Sequence, residues 1–460
     1  MAGVGFELNK ILSRQGYTSM LQAYGYAALI GSGPWLVSVI SLGMLGVVLT
    51  GVGLTEGLRV FFVSISIVYA FTLVLTGPVQ LVLTRFSADQ EYSKNANQIF
   101  PTFVYVLSWG SLGFAILGLI IFGVFVPEPP VLFRLSAAML MMLVGGIWIS
   151  SIFLTAIKDY QQVLIAFAVG AVTSFFGAGL GAEWFGLNGA MLGFVMGHAL
   201  LLMLLFSAIY KEIGNQEVGS PAFLHQLTKY LPLAVAGLAY NLGIWIDKFL
   251  FWWMDPAADH ISGMLYAAPV YDRVVYFSFL TIVPGMAVFL LKLETDFASA
   301  NKAFFQHVLR KGTLEQIAQK KKEMILALQD GFSLLMKIQG TFTVVLILSA
   351  DKVLGYLGLG AVQSGIFQIS LVGTFLLVIF MSLLMVLHYL DKGKDAMVSC
   401  VTFAVVNGLV TWISIAGGER WYGIGFLAAA GVAMCMAAVQ VNKHVRDLEY
   451  DTFTPQRLFN

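Results

Sequence analysis

Between Ser19 and Val441 the chain is a succession of apolar runs, each close to the length a lipid bilayer demands. Twelve runs of helical length can be drawn, at 19–46, 60–84, 100–126, 133–157, 161–182, 186–210, 228–253, 268–291, 331–349, 365–389, 396–416 and 422–441. At 1.5 Å of rise per residue, about 20 residues cross a hydrocarbon core ~30 Å thick. Charged residues are only 11% of the chain, where a soluble domain carries about 25%. The pattern predicts an all-α polytopic membrane protein with twelve transmembrane helices.

Lysine and arginine set the expected orientation. With the N-terminus in the cytoplasm, twenty of the 26 cations fall in inner segments and four (Arg59, Arg134, Lys352, Arg420) in outer ones. The remaining two, Lys248 and Arg273, lie inside spans. This bias follows the positive-inside rule and predicts that both termini are cytoplasmic. Six spans in each half give the halves one orientation, which is the arithmetic of a parallel repeat. The expected domains are an interfacial amphipathic helix at 1–18, a six-helix bundle at 19–210, a linker at 211–227, a second bundle at 228–441 and a tail at 442–460. The interfacial helix rests on Val4, Leu8, Ile11 and Leu12, which recur at helical spacing with Glu7, Lys10 and Arg14 between them. The first apolar run is too long for a cleavable signal peptide.

A short echo supports the repeat. The second span reads Leu75-Thr76-Gly77-Pro78 and ends at Arg85; the eighth reads Ile282-Val283-Pro284-Gly285 and ends at Lys292. Pro78 and Pro284 remove ladder hydrogen bonds and are candidate hinges. The long inner loop at 292–330 predicts one or two cytoplasmic helices on the membrane surface. Its basic knot, Lys320, Lys321 and Lys322, is a candidate partner-docking element or a topology anchor attracted to anionic lipid.

The stretch from Tyr240 to Phe279 carries the unusual chemistry. Two spans meet there, one holding Asp247-Lys248 and the other Asp272-Arg273. Lys248 and Arg273 would each lie roughly 9 Å below the outer membrane surface. Charges at such depth are costly unless they pair or face water. They therefore line a polar translocation route, or form an ion-pair lock of Asp247 with Arg273 and Lys248 with Asp272. Asn241, Trp245, Lys248 and Trp252 share one helix face, and Tyr266, Tyr271 and Tyr276 add hydroxyls. Flat rings among hydrogen-bonding groups suit sugar rings, although tryptophans at a span's end also mark the membrane interface.

Other chemistry is thin. No phosphate-binding loop, zinc-protease motif, paired CxxC or nucleophile elbow occurs, so no enzyme, metal or cofactor is expected. Cys400 and Cys435 both sit in apolar segments, which predicts neither a disulfide nor a metal site. Nucleic acid is not an expected partner, because the basic residues are scattered. His198 in the sixth span reads as a helix–helix hydrogen bond rather than a proton relay. The runs Gly177-x-Gly179-x-Gly181 and Gly189-x-x-x-Gly193-x-x-x-Gly197 read as close helix packing.

The N-terminal residues carry a resemblance. Gly3-Val4-Gly5-Phe6-Glu7-Leu8, Ala23-Tyr24-Gly25-Tyr26-Ala27 and Ser32-Gly33-Pro34-Trp35 resemble the opening signature of the PelG family, inner-membrane transporters of the bacterial Pel exopolysaccharide. The resemblance implies a distant place in the multidrug/oligosaccharidyl-lipid/polysaccharide exporter superfamily, whose members pack two six-helix bundles around a central cavity. It implies export of an N-acetylated hexosamine polymer across the inner membrane during biofilm matrix synthesis. Implied partners are a cytosolic glycosyltransferase, a membrane protein with TPR-type repeats and a cyclic-di-GMP receptor. A lipid-linked oligosaccharide flippase, or an ion-coupled drug antiporter using Asp247 or Asp272 as its coupling acid, remains the alternative. A non-conducting scaffold for the synthase is a third reading.

Overall fold

The computed structural model describes residues 16–93, 96–157, 160–214, 223–310 and 312–454. Residues 1–15 of the expected interfacial helix at 1–18 and the centre of the expected linker at 211–227 lie outside these residues. Among them, ten helices are long and apolar enough to cross a membrane, and the pair Gln22–Gly33 and Leu36–Gly51 adds an eleventh span. Gln161–Ile213 counts once in that number, yet it is two helices. Its direction reverses at Phe185 and Gly186, where Gly186 has a φ of 58° that an L side chain rarely adopts. Twelve spans result, as the apolar runs predicted.

The chain divides into two compact units. One is Ser32–Pro269; the other is Val270–Asn460 together with the residues up to Gly31. The division falls at Pro269 rather than in the segment 211–227, because the seventh span packs on the second. In the first unit, α1 (Tyr17–Gly51) contributes its part from Ser32 onward. It is followed by α2 (Thr55–Tyr92), α3 (Ile99–Ile120), α4 (Val131–Ile157), the helical hairpin α5 (Tyr160–Ile213), α6 (Phe223–Lys229) and α7 (Leu231–Met254). The second unit continues with α8 (Pro269–Leu280), α9 (Val283–Val288), a π-helical stretch (Phe289–Phe297) and α10 (Ala298–Leu309). Then come α11 (Leu314–Tyr356), α12 (Ala361–Tyr389), α13 (Gly393–Gly417), α14 (Ile424–Arg446) and α15 (Leu448–Phe453).

Small residues set the close helix approaches. In α5 the two arms run antiparallel with Gly177 against Gly193, Gly181 against Gly189 and Ser174 against Gly197. A Cβ on Gly177 would lie 2.7 Å from the Gly193 carbonyl oxygen. Gly179 faces away from this seam, toward Val48. The glycine stripe is thus packing, as its spacing implied. Where α2 crosses α7, Gly77 meets Gly237, and a Cβ on Gly77 would lie 2.5 Å from the Gly237 carbonyl oxygen.

The loop at 292–330 departs from expectation. Among the described residues the eighth and ninth spans continue through it as π-helix, α10 and α11. A capping box starts α11, with the Gln316 amide donating to Thr313 Oγ1 and Thr313 N–H donating to Gln316 Oε1. The helix then runs unbroken through 43 residues, about 64 Å at 1.5 Å per residue. That length exceeds a bilayer core, so one continuous helix serves as both span and extension.

Ion pairs within each unit join only groups that the topology puts on one side. Arg59 pairs with Asp259, Lys321 with Glu449, Lys392 with Asp451, and His444 contacts Asp395. One missed span would have placed such partners at opposite ends. Replacing Gly193 by valine should lower the melting temperature of the detergent-solubilised protein by at least about 5 °C, as expected when a tight backbone contact is overpacked. Gly179→Ala, outside the seam, should leave it within roughly 1 °C.

Candidate functional site

In α7, Asp247 is fully buried and Lys248 is 8% exposed. Neighbouring helix positions do not face each other, so the long lysine stem must curl back to reach its neighbour. Lys248 Nζ lies 3.0 Å from Asp247 Oδ2 and 3.2 Å from Oδ1, and donates to the Ile244 carbonyl at 2.8 Å. Arg273 is exposed and makes no ion pair among the described residues. Arg273 sits on an exposed face of α8, and Asp247 has its cation one residue away in α7. Asp272 falls in the first turn of α8, where a carboxylate is favoured by the helix dipole.

The other expected route residues divide by exposure. Asn241 and Trp252 are buried, and Tyr271 is 1% exposed against the edge of Tyr422. Trp245 and Asp272 are half-buried, and Tyr276 is 37% exposed. Arg273 and Tyr276, one helical turn apart on α8, are thus the accessible members of the set. Asn241 has a packing role: its amide donates to the Leu73 carbonyl at 2.8 Å, beside the Gly77–Gly237 crossing. That bond holds α7 against α2 just before Pro78, which lies inside an unbroken α2. Pro284 behaves differently, standing second in α9 immediately after a break.

Aromatic rings of α7 stack along the helix. Phe249 lies between Trp245 (6.3 Å, 25° between planes) and Trp253 (5.4 Å, 17°), and Phe71 of α2 leans on Phe249 and Trp253. Such pairs add about 0.5–1.5 kcal/mol each beyond their area burial. The Trp245 indole N–H is buried without an acceptor among the described residues. Trp253 donates instead to the Met264 carbonyl at 3.2 Å.

That carbonyl belongs to a two-stranded hairpin, β1 (Asp259–Ser262) and β2 (Leu265–Ala267), which the sequence reading missed. The Ser262-Gly263 dipeptide was the available signal. Gly263 has a φ of 53°, and a Cβ there would clash with the Phe125 carbonyl oxygen. Met264 N–H donates to the same Phe125 carbonyl at 3.0 Å, which pins the hairpin to the end of α3's π-helical extension. Beside it opens a cavity of about 550 Å³ lined by Leu54, Val60, Glu128, Leu187, Ile261 and Ser262, among others.

His198 is satisfied within the first unit, as expected of a helix–helix contact. Its Nε2 lies 2.7 Å from the Tyr69 hydroxyl; its Nδ1 lies 3.0 Å from the Phe194 carbonyl and 3.1 Å from Ser174 Oγ. Trp148 donates to Thr72 Oγ1 nearby, and that hydroxyl donates to the Val68 carbonyl.

The basic knot does not form one patch. Successive helical residues point about 100° apart, so three adjacent lysines diverge. Lys320 pairs with Glu323 at 2.7 Å, whereas Lys321 binds Glu449 and the Arg446 carbonyl. Lys322 is exposed and makes no ion pair among the described residues. Lys321 thus ties α11 to the C-terminal end of α14 and to α15. A second tie comes from Asp451, which accepts from Lys392 at 2.7 Å and lies 2.9 Å from His444 Nδ1. His444 Nε2 is 2.6 Å from Asp395. The Lys392 hydrogen bond, then that of His444, holds the Asp451 carboxyl below its ordinary value. A depressed folded pKa gives stability that is complete above the ordinary value of 3.8 and is lost as pH falls through the lower folded one. Amide exchange across Leu448–Phe453 should therefore accelerate only below about pH 4. In Asp451→Asn it should already be faster at neutral pH.

Removing one partner of a buried pair costs about 3–5 kcal/mol. Lys248→Ala should therefore lower membrane abundance severalfold, while Arg273→Ala leaves abundance within about twofold. Quantitative immunoblots of membrane fractions check both.

The comparisons agree on one kind of protein. The profile of the PelG family, described as "Putative exopolysaccharide Exporter (EPS-E)", matches residues 1–453. No curated protein sequence matches the chain significantly. Among solved structures, a MOP-superfamily transporter from Pyrococcus furiosus is similar at a TM-score of 0.63 and 12% identity, over 97% of this chain and 99% of that one. A multidrug resistance MATE family transporter in an outward-facing conformation is similar at 0.60 and 14%, over 92% and 96%. Another in an inward-facing conformation is similar at 0.57 and 14%, over 91% and 99%. At such identities the likeness shows the fold.

Proposed function

Since the chain belongs to the PelG family of exopolysaccharide exporters, we propose that it exports the Pel exopolysaccharide, an N-acetylated hexosamine polymer, across the bacterial inner membrane during biofilm matrix synthesis. The family match over 1–453 is the observation that carries this reading. The chain is a multi-pass membrane transporter and not an enzyme, which leaves polymerisation to a partner. A cytosolic glycosyltransferase would supply the chain, and the TPR-type protein and cyclic-di-GMP receptor would complete the assembly. Both termini would face the cytoplasm, in keeping with the lysine and arginine bias.

Arg273 and Tyr276 are the residues we assign to the route. An exposed guanidinium and phenol, spaced one turn apart on α8, offer several hydrogen bonds to sugar hydroxyls and acetamido carbonyls. The route is lined there. The alternative of a drug antiporter shares only the fold with the solved MATE structures.

The test is polymer secretion in cells that express the synthase. Arg273→Ala with Tyr276→Phe should reduce secreted polymer at least about tenfold at matched membrane abundance, the loss expected when two ligand hydrogen bonds are removed. Unchanged secretion would move the route away from α8.

A further inference from the structure

The eighth span is broken between α8 and α9. Thr281 N–H turns back to the Ser278 carbonyl at 3.1 Å and Ile282 N–H to the Phe279 carbonyl at 3.2 Å, so α8 ends in a tight turn. Pro284 has no N–H to offer. In a continuous helix the next ladder bond would run from Gly285 N–H to the Thr281 carbonyl, four residues back. That bond is replaced by a side chain. Gln339 of α11 accepts from Gly285 N–H at 2.8 Å through Oε1 and donates to the Thr281 carbonyl at 2.9 Å through Nε2. Its amide thus stands in the ladder between the two groups that would otherwise bond each other, a recognised cause of helix kinks.

Three further observations fit this role. Gln339 is fully buried, so water cannot substitute for it. Gly285 leaves room for the amide: a Cβ there would lie 2.9 Å from Gln339 Oε1 and equally close to Val378 Cγ1. Downstream, nine residues (Phe289–Phe297) are π-helical, so the span's ladder is irregular on that side of the break too. An intact ladder would satisfy both backbone groups without Gln339.

We infer that Gln339 is a positioning residue for export: by occupying the ladder at Thr281–Gly285 it keeps α8 a separate segment and so sets where Arg273 and Tyr276 stand. This rests on the export reading only for its activity assay. When Gln339 leaves, Gly285 N–H bonds the Thr281 carbonyl directly and α8 joins α9. Glutamate at 339, kept neutral by burial, can accept from Gly285 and donate its O–H to Thr281. Methionine has a similar volume and makes neither bond.

The experiment compares Gln339→Met and Gln339→Glu with the wild type for membrane abundance, secretion per molecule and amide exchange over residues 283–288. Expected are abundance within about twofold for both, and secretion cut at least about tenfold in Gln339→Met but kept in Gln339→Glu. Exchange over 283–288 should be no faster in Gln339→Met than in wild type, because the ladder bond has closed. Wild-type secretion by Gln339→Met would overturn the inference. So would faster exchange there with secretion falling only in step with abundance, which marks a purely structural residue. If Gln339→Met does not accumulate, loss of secretion in well-expressed Gln339→Glu overturns it as well. Exchange does not depend on the substrate. A closed ladder in Gln339→Met, with no polymer secreted even by wild type, would fault the export reading and leave the role of Gln339 in the ladder standing.

Discussion

A bilayer interior holds no water to satisfy a stray peptide group, so every interruption of a helix must be met by another part of the protein. The architecture of this chain follows from that constraint. Where α5 reverses, Gly186 makes the turn at the span's end and glycines let the two arms close backbone to backbone. Where Pro78 stands within α2, Thr72 and Thr76 bond back to carbonyls one turn earlier, and Asn241 reaches the Leu73 carbonyl from α7. Where Pro284 follows a true break, Gln339 supplies acceptor and donor at once. A side-chain amide thus attends each proline, but the two act differently. Asn241 adds to an existing ladder, while Gln339 replaces a rung of one.

The same constraint explains the charges. A lysine and an aspartate buried in one helix must neutralise each other and find further partners, and Lys248 does so with Asp247 and the Ile244 carbonyl. Such a pair supports structure. Arg273 and Tyr276, by contrast, are exposed on α8. The proposed cargo, a polymer of sugars, would need such an exposed polar surface, because its hydroxyls would have to exchange water for protein groups as they pass.

Outside the spans, a different logic holds the second unit. The extension of α11 reaches the C-terminal segment through Lys321, and Asp451 gathers Lys392 and His444. These are partly exposed pairs, individually weak, but they join three elements far apart in sequence. Two of the three lysines of the basic knot are committed within the chain, so Lys322 alone presents its charge outward.

Apolar periodicity and the lysine and arginine bias determined the class, the twelve spans and the glycine seam, because each depends on local spacing alone. The opening motifs carried the family. Which charges pair was decided only by the tertiary structure. Asp247, Lys248, Asp272 and Arg273 look equivalent in the sequence, and burial separates them: helix rotation places Arg273 on an exposed face and Asp247 in the interior. The units divide at Pro269 because Gly77 and Gly237 allow α7 to press on α2, a contact between residues 160 positions apart that no local pattern reveals. Gln339 was invisible for the same reason. A lone glutamine in an apolar span signals only an unmet need for partners, and the broken ladder that meets it lies more than fifty residues away.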